Sequence, residues 1–390
     1  MENKFLDKVE NNAVVRIWLE KTQLEKGDSL SEGYTSELWD FTYISVRQNN
    51  LRELKEIWAQ WDNETKQLFY YNYGDLPDLL DIKVDEHLFR ALAQFWNFAY
   101  SCFTFGEVDL VPTIEEYTAL LRCPRIQADK VYSKAVNIPN FVKKLMNILG
   151  MSEQWVSARV KQKGDSKCIP WKSLCDLILV HLDTKKKVDI FALSIFGLMI
   201  FPRTLGYVDE AVIDLFDRLD KRVTPVPAIL AEAFRSLSAC RSTGEGRFIG
   251  CAQLLLVWFH SHFWKVDKVS YRVVSENYSP LKELVATPRH EDVEWKAPWM
   301  VSDEILYRCG DFDWVPLLRI WGAVGYTPLL SEFSYKDDGY KKKIREVTNA
   351  WKQIHRMKRL AIGPMMIPEY NEWWSKRVND NIARLREEDI

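Results

Sequence analysis

No C-x-x-C pair occurs among the seven cysteines, and the chain has neither a long hydrophobic run nor an excess of charge of one sign. Each absence excludes a class. The cysteines (Cys102, Cys123, Cys168, Cys175, Cys240, Cys251 and Cys309) are odd in number and scattered, which argues for reduced, mostly buried thiols in a nuclear or cytosolic protein. Met1-Glu2-Asn3-Lys4 opens without the apolar stretch of a secretory signal. The longest apolar run, Ile190 to Phe201, falls short of the roughly 20 residues that span a bilayer. A second run, Phe248 to Trp264, is interrupted by Gln253, His260 and His262, so both are expected to be buried core helices with no membrane association. A formal net charge of −2 excludes a surface given over wholly to nucleic acid, though not a local basic patch.

What is present is ordinary globular material. Hydrophobic residues make up 47% and charged residues 28%, enough apolar surface for a sizeable core and too much for disorder. The 390 residues fit two to three units, read as an N-terminal helical segment (1–85), a helical core (86–330) and a basic helical extension (331–390). Trp18, Tyr34, Leu38, Trp39, Leu51, Leu54, Ile57, Trp58 and Trp61 recur at helical spacing, which predicts successive amphipathic helices over the first eighty residues. Asn50 with Glu53 has the pattern of a capping box before the helix starting at Leu51. A helix over Leu88 to Asn97 is followed by Ser101-Cys102-Phe103-Thr104-Phe105, Gly106-Glu107 and Val108-Asp109-Leu110-Val111. Alternating aromatic and β-branched residues on either side of a glycine predict one small β-hairpin near residues 101–111. Pro112 ends it, and Thr113 with Glu116 forms a second capping box. Helices return from Pro139 to about Trp264, with apolar faces at Val212, Leu215, Phe216 and Leu219 and at Ile229, Leu230, Ala233, Phe234 and Leu237. Pro225 and Pro227 suit a helix start. The stretch Val266 to Val301 reads as irregular, and Gly339 to Glu388 as two long polar helices. The fold class expected is mostly α, an irregular multi-helix domain with that hairpin.

The search for chemistry yields little. His260 and His262 are two apart, about 200° around a helix, whereas zinc-protease ligands share one face. Residues 244–250 run G-x-G-x-x-x-G after a helical pattern. A dinucleotide loop follows a strand, so a helix–helix turn is expected there. No G-x-x-x-x-G-K-[ST] and no G-x-S-x-G occurs. The pairs Glu115-Glu116 and Asp337-Asp338 are explained by capping and solvation, and Gly310-Asp311 lacks the companion motif of a metallophosphatase. No catalytic, cofactor-binding or metal-ligating residue is assigned. Lys341, Lys342, Lys343, Arg345, Lys352, Arg356, Lys358 and Arg359 crowd one segment beside Trp351, Trp373 and Trp374, either a solvated helix face or a site that pairs cations with phosphate and rings with bases. Most of the sixteen tryptophans sit at helical periodicity and are expected in the core, with Trp295 and Trp299 as exposed exceptions.

Three segments in order resemble the plant mobile domain superfamily. The first is ALAQFWNFAYSCFTFGEVDLVPTIEEYTALLRCP (Ala91 to Pro124), in which Trp96, Phe105, Gly106, Glu107, Thr113, Glu115, Leu120 and Leu121 occupy the positions of that pattern. The second is FALSIFGLMIFP, with Gly197, Phe201 and Pro202, and the third RFIGCAQLLLVWFHSHF, with Gly250 and Trp258. Order and spacing agree from about Trp39 to Trp321, and the nearest likeness is to an uncharacterised plant branch that is often followed by a coiled coil. The resemblance implies a plant nuclear protein associated with transposable elements, intact or a shortened copy. It also implies protein partners that include phosphatase-like ones, a role in silencing or development, and no cofactor. It gives the signature residues a structural role. A non-enzymatic interaction module is therefore expected, with nucleic-acid binding through 341–359 as the alternative.

Overall fold

The computed structural model describes residues 43–97, 101–105, 108–122, 140–164, 166–219, 223–243, 245–263, 304–309, 312–313 and 354–358. Helix is the predominant state among them, so the class is mostly α, as expected.

In chain order, β1 (Tyr43–Val46) precedes α1 (Arg52–Gln60), α2 (Asn63–Tyr73), a 3-10 turn (Leu76–Asp81) and α3 (Glu86–Gln94). A three-stranded meander follows: β2 (Trp96–Asn97), β3 (Cys102–Phe105) and β4 (Val108–Leu110), leading into α4 (Ile114–Leu121). Next come α5 (Phe141–Leu149), α6 (Glu153–Arg159), β5 (Lys161–Lys163), β6 (Ser166–Pro170) and α7 (Trp171–Val180). The apolar run forms α8 (Thr184–Ile195), closed by a π turn (Phe196–Ile200), and β7 (Tyr207–Asp209) completes a sheet ordered β5-β6-β7. Then follow α9 (Glu210–Leu219), α10 (Val226–Thr243), β8 (Glu245–Phe248) and α11 (Ala252–Phe263). A separate antiparallel sheet has β9 (Glu304–Cys309) between β10 (Phe312–Asp313) and β11 (Ile354–Lys358).

Several local expectations are realised. Thr113 Oγ1 accepts from the Glu116 N–H at 3.2 Å while Glu116 Oε2 accepts from the Thr113 N–H at 3.0 Å, a complete capping box on α4. The hairpin is present as β3 and β4. Pro225 and Pro227 stand at the start of α10. The apolar faces read for α9 and α10 are buried, as are both apolar runs wherever their side chains are described, apart from the half-buried Phe201, Ile249 and Val257. Burying a core side chain stabilises by about 1.5–3 kcal/mol, which is why these stripes turn inward.

Others are corrected. The first eighty residues are not helical throughout, because Tyr43–Val46 is a strand pairing in parallel with Glu245–Phe248. Ile44 is buried and Ser45 exposed, the two-residue period of a strand, but the run is too short to announce itself and its partner lies some two hundred residues away. The same pairing replaces the expected helix–helix turn at 244–250 with β8. The helix before the hairpin ends at Gln94, since Trp96 pairs with Phe103 and adds a third strand to the sheet. Asn50 Oδ1 accepts from the Arg52 N–H at 3.0 Å, yet Glu53 does not reach back to close a box. Its carboxylate accepts the indole N–H of Trp171 at 2.6 Å, a tertiary partner that displaces the local one. Within 339–388, read as long helices, Ile354–Lys358 is a strand against β9, again held by a remote ladder.

One glycine is dictated by close approach. Gly197 lies in the π turn beneath β7, and a Cβ built there would stand 2.5 Å from Val208 Cγ2. The turn and the strand can meet only with a bare Cα.

Candidate functional site

Most of the described signature residues fall into two groups. In the first, Trp96 and Phe103 are cross-strand partners on one sheet face, with ring centroids 4.9 Å apart. Trp96 stacks on Phe234 of α10 at 5.3 Å, and Phe103 lies 5.7 Å from Trp258 of α11, so both helices pack on that face of the sheet. Both indoles are fully buried and both donate: Trp96 Nε1 to Ser238 Oγ at 3.0 Å, Trp258 Nε1 to Glu116 Oε2 at 2.9 Å. Glu116 therefore serves the α4 cap and Trp258 at once. Leu121 is buried beside them, while Glu115 and Leu120 are half-buried on α4. Phe105 ends β3 opposite Val108, and Gly106 and Glu107 lie outside the described residues.

The second group lines a pocket. After the π turn, Phe201 and Pro202 form one wall. Ala211, Val212 and Leu215 of α9 form another, facing Ala228 of α10 and the Ile249-Gly250 step that leads into α11. Gly250 is required by packing, because a Cβ there would sit 2.9 Å from Phe248 Cζ. The empty space amounts to about 420 Å³, part of it open to solvent. Three charged residues share the lining: Arg203, Asp209 and Glu232. Asp209 Oδ1 accepts the N–H groups of Ala211 and Val212 at 2.9 and 3.0 Å, capping α9. Glu232 is ion-paired with Arg235 one turn along α10. Arg203 is half-buried, and its guanidinium makes no hydrogen bond or ion pair among the described residues. Of these residues, Phe201, Pro202 and Gly250 stand out in the sequence as signature positions and Val212 and Leu215 as part of an apolar helix face; the rest do not. A usable signal existed in Glu232, a carboxylate within the apolar stretch Ala228 to Phe234, and in Arg203, two residues past the longest apolar run.

Buried titratable groups elsewhere are structurally committed. Asp214 of α9, fully buried, is paired with Lys144 of α5 and with Arg218 at 3.0 Å, and Lys144 also meets Asp217 at 3.3 Å. Burial pushes the Cys240 thiol up to about 11 and the Cys251 thiol up to about 12, so both are protonated at neutral pH. The Tyr117 hydroxyl is likewise pushed well up by burial. The five cysteines Cys102, Cys168, Cys175, Cys240 and Cys251 are free thiols, and only Cys175 is not buried. Among the described residues no group of three or more His, Cys, Asp or Glu is placed to hold a metal ion. No helix among them is long and apolar enough to cross a membrane. His260 and His262 lie on α11, but their side chains are outside the described residues. So are Trp295, Trp299, Lys341, Lys342, Lys343, Arg345, Lys352 and Arg359, whereas Arg356 and Lys358 lie on β11, two apart.

The family described as Domain of unknown function (DUF7745) matches residues 51–334, well over half of the chain. The chain belongs to that family. No curated protein matches it, and no solved structure does. The DUF7745 match takes in both groups of signature residues and the whole pocket. It begins at the residue before α1, although β1, just outside it, is paired with β8 inside it.

Proposed function

We propose that this DUF7745 chain is a non-catalytic interaction module of plant mobile domain type that acts in the plant nucleus, where its pocket receives an apolar group of a protein partner. The observation that carries this reading is the pocket itself: walls from Phe201, Val212, Leu215, Ala228 and Ile249, with Asp209 and Glu232 already bonded within the fold. Concave apolar surface with few polar groups is the usual form of a ligand site. A catalytic reading would need a nucleophile and a base in hydrogen-bond reach, and the buried thiols are instead held protonated. The ordered signature segments support the plant mobile domain kinship, and with it a transposon-related origin, a role in silencing or development, and phosphatase-like nuclear partners.

A second reading, nucleic-acid contact through residues 341–359, draws support from Arg356 and Lys358, which stand two apart on β11. One experiment separates the two. Tagged full-length chain and its Ala211→Trp variant, which fills the pocket, are purified from plant nuclei with and without nuclease. Partners that survive nuclease and are lost from the variant are expected. Partners that vanish with nuclease and are indifferent to the variant would overturn the pocket reading in favour of the basic segment.

A further inference from the structure

We infer that the hairpin of β5 and β6 binds the phosphate backbone of duplex DNA, through Lys161 and Lys163 on one face and Lys167 on the other. These lysines neither line the pocket nor belong to the basic segment 341–359. Residues 159–167 carry Arg159, Lys161, Lys163 and Lys167 against one carboxylate, Asp165. All three lysines are exposed, and none makes an ion pair among the described residues. Asp209, in register with Cys168 on the face of Lys161 and Lys163, is buried and committed to the α9 cap. Three cations therefore stand in water with no partner among the described residues, and a polyanion laid over them relieves their mutual repulsion.

The shape of the hairpin selects the polyanion. β7 pairs with β6 only over Cys168 to Pro170, so the rungs Gln162–Lys167 and Lys163–Ser166 extend beyond it as a two-stranded ribbon. Gly164 stands at the tip, where an added Cβ would meet nothing within 4 Å. Side chains alternate across a strand, which puts Lys161 and Lys163 on one face, about 7 Å apart, and Lys167 with Gln162 on the other. Lys163 Nζ rests 4.8 Å from the Tyr207 ring centroid, which holds that cation on the first face. The major groove of DNA, about 12 Å wide, admits a two-stranded ribbon and has phosphates along both walls. Lysines on both faces of the ribbon match both walls, whereas an acidic protein surface would engage one face and leave the other in water. Gln162, the side chain on the ribbon best suited to a base edge, already donates its Nε2 hydrogen to the Gly164 carbonyl at 2.8 Å. Contact is therefore with phosphate and independent of sequence.

The test uses the full-length protein and a fluorescein-labelled DNA duplex of about two helical turns, with anisotropy read from about 50 to about 200 mM salt. Three phosphate contacts alone predict an affinity that falls about fortyfold over that range, a log–log slope near −3. The combined Lys161→Gln, Lys163→Gln and Lys167→Gln variant is expected to bind at least about tenfold more weakly at the low-salt end and to flatten the slope by about 3, with its melting temperature unchanged. Lys167→Gln alone flattens the slope by about 1, and a second duplex of unrelated sequence binds alike. The same loss of charge placed on three exposed lysines elsewhere, Lys83, Lys143 and Lys185, leaves the affinity within about twofold. Equal weakening by both triple variants would reduce the effect to net charge and overturn the inference. Loss of binding on changing Lys341, Lys342 and Lys343 to Gln, with the hairpin variant unaffected, would overturn it in favour of the basic segment. Displacement of the duplex by polyglutamate at equal charge concentration would assign the surface to an acidic protein instead of DNA. Failure of the unmodified protein to bind the duplex overturns it outright and leaves the lysines as guards of an exposed edge strand. The pocket reading is untouched by any of these results and stands or falls with the nuclear purification.

Discussion

Glu116 joins three parts of the molecule, and replacing it with alanine should reveal how much of the stability passes through one carboxylate. Its Oε2 accepts the Thr113 N–H at 3.0 Å and the Trp258 indole N–H at 2.9 Å, in a site where Trp258 and Thr113 are fully buried. Glu116→Ala leaves both donors without that acceptor, at about 1–3 kcal/mol for each, so a loss of about 4 kcal/mol is expected. Glu116→Gln keeps an oxygen at the same place and gives up only the charge, which should cost about 1–2 kcal/mol. Trp258→Phe removes one donor and part of the ring. Combined with Glu116→Ala it should fall short of additivity by about 2 kcal/mol, because the second change finds the bond already broken. Urea unfolding of the unmodified protein and these four variants, with the midpoint read at constant slope, gives these numbers directly. A Glu116→Ala cost below about 1 kcal/mol, or a coupling energy indistinguishable from zero, would refute the claim that this carboxylate ties the cap to α11.

Three further outcomes are expected. Gly197→Ala pushes a methyl group into Val208 and should destabilise by about 2–3 kcal/mol, with Val208→Ala relieving part of the loss in the double variant, as read by thermal denaturation. Asp214→Ala removes the buried carboxylate that pairs with both Lys144 and Arg218 at the α5–α9 contact and should cost about 3–5 kcal/mol in urea unfolding; a cost near zero would mean the network is solvated. Cys240 and Cys251 have folded-state values raised above the ordinary thiol value of 9.0, so their contribution to stability is complete below that value and is lost as pH rises toward about 11 and 12. Stability is thus expected to decline in steps above pH 9, and alkylation of native protein at pH 7 should spare both thiols in a mass-spectrometric map.

Much of the local structure could be read from neighbouring residues. The α4 cap was legible because Thr113 and Glu116 are three apart, so both partners lie within one helical turn. The hairpin at 101–111 was legible because its two strands adjoin. The burial of α8 and α11 followed from runs of apolar residues too long to expose. By the same logic the errors cluster where the deciding partner is far away in sequence: β1 against β8, β2 added to the hairpin, Glu53 drawn to Trp171, and β11 against β9. Each is a short segment whose own pattern is ambiguous and whose conformation is chosen by a ladder or a hydrogen bond across the fold.

The candidate site follows the same division. Phe201, Pro202 and Gly250 stood out in the sequence, on segments almost fifty residues apart, but nothing local said that they face one another. Hydrophobic period and capping chemistry act over a few residues, so the sequence alone determined that this is a mostly helical protein with a hairpin and a complete cap before α4. Which apolar faces meet, which carboxylates are spent on helix ends or ion pairs, and which cation is left free are questions of distance between remote segments. Only the tertiary structure decides those, and it brings Phe201, Pro202 and Gly250 together around one apolar pocket.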